Sequence, residues 1–112
     1  MKYNFEIRNG QLYQGNELYI TSNGIIQDFL IFNNRVVLLF DPESIGSDRN
    51  VFCYDFDKNL IWQVEEPYKI HERNYYNSIY VRDNKLCIYS DNGFELTVDA
   101  QTGVTLDHKF IR

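Results

Sequence analysis

The chain writes one stretch of itself twice, and that repetition limits its fold more than any other feature. Phe29-Leu30-Ile31-Phe32-Asn33-Asn34-Arg35-Val36-Val37-Leu38-Leu39-Phe40-Asp41 recurs in type at Ile79-Tyr80-Val81-Arg82-Asp83-Asn84-Lys85-Leu86-Cys87-Ile88-Tyr89-Ser90-Asp91, an offset of 50. Each copy reads apolar strand, Asn turn, basic residue, apolar strand, Asp. Further on, Cys53-Tyr54-Asp55 matches Thr97-Val98-Asp99, Asn59 matches Gly103, and Trp62 matches Leu106, at an offset of 44. The six-residue difference falls in "DPESIGSDRN" (41–50), a polar loop where an insertion costs little.

Turn signals separate short runs rich in Val, Ile, Tyr and Phe. They fall at Asn9-Gly10, Gly15-Asn16, Asn23-Gly24, Asn33-Asn34, Lys58-Asn59, Asp83-Asn84, Asn92-Gly93 and Thr102-Gly103. Asn and Gly suit hairpin turns because both tolerate positive φ. Alanine, the best helix former, occurs once, at Ala100. The pattern predicts strands near 2–8, 11–14, 17–21, 25–32, 35–41, 51–56, 60–66, 75–82, 85–91, 94–99 and 104–110, with one short helical turn at 66–72. The chain is read as a single all-β domain over 1–112: N-terminal strands (1–24), a first four-stranded repeat (25–66) and a second (75–110).

A tandem unit of about 40 residues built from four meandering strands is a propeller blade. "YDFDKNLIW" and "VDAQTGVTL" resemble the hairpin between the third and fourth strands of a quinoprotein-type (PQQ-like) blade, and the likeness covers about two thirds of the chain. The second copy keeps Asp99, Thr102 and Gly103 but has Leu106 near the tryptophan's place; the first keeps Asp55 and Trp62 but has Asn59 for the glycine. The resemblance implies that Asp55 and Asp99 accept hydrogen bonds from turn amides. It implies that Gly103 or Asn59 supplies positive φ, and that Trp62 or Leu106 packs on the neighbouring blade. It implies no quinone, and no cofactor is expected. A closed propeller needs four to eight blades. The chain has too few, so two architectures stay open: an open half-propeller or a β-sandwich. An open flank is expected to leave apolar surface and edge backbone for another polypeptide to cover.

Catalytic groupings are weak. His71 and His108 are the two histidines and are read as solvated, and Cys53 and Cys87 as buried free thiols in a reducing compartment. No Cys/His spacing suits zinc, and no phosphate loop or GxSxG is present. The chain is read as non-enzymatic, with no metal.

The formal charge of −5 argues against nucleic acid or an anionic membrane as ligand and fits either a basic protein partner or simply solubility. No apolar run reaches membrane-spanning length, and a cytoplasmic location is expected. The candidate partner-binding residues are Asp41, Glu43 and Asp48 in one loop, and Glu65, Glu66, Tyr68, Glu72, Tyr75 and Tyr76 in the connector. In size and charge the chain is similar to immunity proteins of bacterial contact-dependent growth-inhibition systems. That likeness implies inhibition of a basic, nuclease-like toxin domain. The alternative is a structural repeat that pairs with a second copy to complete a ring.

Overall fold

The structure, a computed structural model, describes residues 4–67 and 74–111. The eleven expected strands are all present, each within a few residues of its predicted bounds. β1 (Phe5–Arg8), β2 (Gln11–Gln14) and β3 (Glu17–Leu18) form a three-stranded sheet. A four-stranded meander follows, made of β4 (Ile26–Phe32), β5 (Arg35–Phe40), β6 (Val51–Tyr54) and β7 (Leu60–Gln63). A second is made of β8 (Tyr76–Arg82), β9 (Lys85–Ser90), β10 (Phe94–Val98) and β11 (Thr105–Phe110). All pairings are antiparallel between chain neighbours, and the three sheets stack without closing.

Local chemistry sets the hairpins. Asn33 and Asn34 take φ of 48° and 62°, and Asp83 and Asn84 take 52° and 60°. Two successive left-handed residues make the turn whose twist matches the flanking strands, so Phe32 pairs Arg35 and Arg82 pairs Lys85. The Asp turns also form as expected. Asp55 Oδ1 accepts the amides of Asp57 and Asn59, both at 2.9 Å, and Asp99 Oδ1 accepts that of Gln101 at 2.8 Å.

Two details of the repeat differ from the sequence alignment. Positive φ in the first copy belongs to Lys58 (71°), not Asn59, and matches Gly103 (79°). Both copies carry the same bulge, between Cys53 and Tyr54 and between Thr97 and Val98, but the second turn is one residue longer: 55–59 separate the paired Tyr54 and Leu60, and 99–104 the paired Val98 and Thr105. Asp107, not Leu106, therefore stands opposite Thr97 as Trp62 stands opposite Cys53. Helical structure also appears elsewhere than expected, as one turn over Pro42–Ile45 (α1). Pro42 presets φ at its start and Gly46 closes it in the left-handed region (φ 63°). Most of the predicted 66–72 turn lies outside the described residues; Glu66 and Pro67 are not helical.

Two cores hold the stack. Leu12, Tyr19 and Ile20 of the N-terminal region meet Ile26, Val36, Leu38 and Phe40 on one face of the first meander. Its other face presents Val37, Leu39, Val51, Cys53, Trp62 and Val64 to Ile79, Leu86, Ile88, Leu96 and Val98 of the second. This is strand alternation used twice: odd and even positions of β5 feed different cores. Trp62 packs on the next sheet as the motif implies. Its Nε1 donates to Ala100 O at 2.8 Å, and Gly103 lies so close that a Cβ there would sit 2.6 Å from the ring. Tyr19 fills the corresponding role between the N-terminal sheet and the first meander, its hydroxyl donating to Phe56 O at 3.3 Å.

The outer face of the second meander is largely polar, while Leu60, Leu106 and Phe110 on the edge strands β7 and β11 stay exposed, as expected of an open flank. In register, Leu30, Phe32, Val37, Leu39, Val51 and Trp62 of the first meander correspond to Tyr80, Arg82, Cys87, Tyr89, Glu95 and Asp107 of the second. Glu95 is 1% exposed, yet it is held by the Tyr80 hydroxyl and the Arg82 guanidinium. The far side of the N-terminal sheet is polar too: Arg8 pairs with Glu6 at 3.3 Å and lies over the Tyr13 ring. Terminal repeats with a polar outer face end a stack.

Candidate functional site

In an antiparallel meander alternate connections emerge at the same end. The β5–β6 loop (41–50) and the β7–β8 connector therefore share one end, together with the β9–β10 turn. Asn50 fastens them. It is fully buried; its Nδ2 donates to Phe40 O (2.8 Å) and Tyr76 O (2.7 Å), and its Oδ1 accepts from Tyr76 N (2.9 Å). Arg49 Nε donates to Val64 O and Gln63 Nε2 to Arg49 O, adding two ties between the loop and the last strand of the first meander.

The described candidate residues from both segments thus lie at one end. Glu43, Glu65 and Glu66 are exposed, and Asp41, Asp48 and Tyr75 half-buried. Asp41 caps α1, its carbonyl accepting from Ser44 Oγ at 2.7 Å. Tyr76 is buried rather than offered to solvent, its hydroxyl donating to Glu65 O at 3.0 Å. Burial, then the nearby Glu65 and Glu66 carboxylates, pushes its phenol above the ordinary tyrosine value. Tyr68 and Glu72, like His71, lie outside the described residues.

Beside this end a cavity of about 440 Å³ opens between the two meanders. Among the described residues Glu65, Glu66 and His108 line it with Tyr76, Ser90, Phe94 and Leu96. The Thr105 hydroxyl donates to Glu65 Oε1 across the gap between the sheets. The first interface shows why space is left here. There Phe40 and Phe52 pack edge to face with ring centroids 5.3 Å apart. Their register equivalents in the second meander are Ser90 and Leu96. Two smaller side chains stand where two rings fill the first core, and the volume remains open.

Ser90, Phe94, Leu96 and His108 escaped the sequence reading as a group; the Phe-to-Ser and Phe-to-Leu changes between the copies were the available signal. The arrangement suits recognition of a cation, with carboxylates beside aromatic and aliphatic walls. Both cysteines are free and buried, and burial pushes the Cys53 thiol up to about 12. No cluster of three or more His, Cys, Asp or Glu side chains fit to hold a metal occurs among the described residues. No helix among them is long and apolar enough to cross a membrane.

Fold and site together define an all-β protein of three stacked antiparallel sheets with an acidic, cavity-bearing end. The chain belongs to the family described as a domain of unknown function, DUF7957, which it matches over residues 4–110. None of the curated proteins and none of the solved structures compared with it matches.

Proposed function

We propose that the chain is a non-enzymatic, cytoplasmic protein-binding module, an immunity or inhibitor protein that neutralises a basic, nuclease-like bacterial toxin. One observation carries this reading: Asp41, Glu43 and Asp48 share an end of the molecule with Glu65 and Glu66, though they come from separate connections. Carboxylates gathered on one surface steer a cationic partner and raise its association rate by about 10 to 10³-fold at low salt. The likeness to quinoprotein-type blades concerns the scaffold in this reading and brings no quinone with it.

The test first reads the neighbouring open reading frame, which this reading expects to end in a basic, nuclease-like domain, and then uses that domain as the binding partner. Association is measured by surface plasmon resonance across a salt series, for the wild type and for Asp41→Lys combined with Glu43→Lys. The expected result is an on-rate that falls with salt and at least tenfold slower binding by the reversed variant. Binding indifferent to both salt and charge reversal would refute the assignment.

A further inference from the structure

We propose that the cavity between the two meanders receives one arginine side chain of the basic partner. This deepens the protein-binding reading and rests on it. The first argument is shape. The cavity exists because Ser90 and Leu96 replace the Phe40 and Phe52 that fill the equivalent space one sheet earlier. Its neighbours pack normally: Leu86, Ile88 and Val98 of the same face are buried in the shared core. The loss of volume is therefore local to one end of the interface, the end where the acidic connections emerge.

The second argument is chemistry. Phe94 and Leu96 give the cavity an apolar wall, and Phe94 stacks obliquely on His108 with centroids 6.4 Å apart. Glu65 and Glu66 stand on the opposite side, on the segment that follows β7. Thr105 holds Glu65 against the second meander. An occupant must be apolar along its length and cationic at its tip. Arginine meets both demands: its methylene stem covers apolar surface and its weakly hydrated, planar guanidinium stacks on rings and binds carboxylates in a fork. The ammonium of lysine is more strongly hydrated and loses more on entering such a space. Net charge points the same way, since a chain of −5 attracts partners rich in cations.

The experiment records amide NMR spectra of the intact chain titrated with Nα-acetyl-arginine amide, and separately with Nα-acetyl-citrulline amide, its neutral isostere. Arginine amide is expected to shift the amides of Ser90, Phe94, Leu96 and His108, and citrulline amide to leave them in place. Leu96→Phe restores the residue of the first interface and is expected to weaken the response at least tenfold while the spectrum stays folded. Glu65→Gln, which keeps the side-chain volume, is expected to weaken it as well. Equal shifts from citrulline amide, an undiminished response in Leu96→Phe, or no movement of these amides would overturn the proposal. Toxin binding separates this proposal from the broader reading. If Leu96→Phe binds the basic domain as the wild type does while Asp41→Lys with Glu43→Lys fails, the cavity assignment falls and the protein-binding reading stands.

Discussion

Asn50→Ala should be the most damaging single truncation at the acidic end, because it cuts the link between the 41–50 loop and the second meander. Asn50 is fully buried and all three of its side-chain hydrogen bonds, at 2.7 to 2.9 Å, go to backbone groups of Phe40 and Tyr76. A buried neutral hydrogen bond is worth about 1 kcal/mol net, and a partner left unsatisfied costs roughly 1–3 kcal/mol. Three such groups, partly relieved by water entering the vacated space, give a loss of about 3–5 kcal/mol. A domain of this size has roughly 5–15 kcal/mol in all. At about 4 °C per kcal/mol the melting temperature should fall by roughly 12–20 °C. Urea unfolding followed by fluorescence reads it directly, since Trp62 is the single tryptophan and lies buried between the meanders. The midpoint should fall with the slope unchanged. Asn50→Asp should be worse at neutral pH, because it keeps the acceptor, loses both donors and buries a carboxylate beside two carbonyl oxygens; its deficit should shrink as pH falls and the carboxylate protonates. A cost below about 1 kcal/mol for Asn50→Ala would refute this account of what joins the loop to the sheet.

Three further outcomes are expected. Gly103→Ala combines a φ of +79° with a Cβ 2.6 Å from the Trp62 ring, so it should cost about 2–4 kcal/mol in urea unfolding and alter the tryptophan fluorescence of the folded state. Cys53 and Cys87 are both buried with thiols pushed up by burial, so neither should react with a thiol reagent at mildly alkaline pH until urea unfolds the chain; rapid labelling of the folded protein would contradict their placement. Tyr76 and Tyr80 have phenols raised by burial, so the folded state holds their protons more tightly than the unfolded state does. Their contribution is complete below the unfolded value of about 10 and is lost as pH rises above it, so stability should fall in alkali, and less steeply in Tyr76→Phe.

Much of this protein was legible locally. The Asn-Asn and Asp-Asn turns fix two-residue hairpins at Asn33–Asn34 and Asp83–Asn84, and their strands follow from period-two alternation. The packing of Trp62 and the turn bonding of Asp55 and Asp99 were equally readable, because they belong to one hairpin and its nearest neighbour. Within the repeat the misreadings were of one residue. Lys58, a residue seldom found at positive φ, takes the place expected of Asn59, because the second turn carries one residue more and shifts the true alignment past it. The sequence of 41–50 announced a loop but not that Asn50 would be its anchor, since all three of its partners are distant backbone groups.

Alone, the order of residues determined the strands, the hairpins and the existence of two copies, because turn chemistry and side-chain alternation act over a few residues. Only the stacked sheets decided which faces became cores and which became polar caps. They also decided that acids from separate connections share one end, and that Ser90 and Leu96 leave a cavity where Phe40 and Phe52 leave none. Those outcomes depend on which sheet lies against which. That contact joins residues far apart in the chain, and no short pattern encodes it.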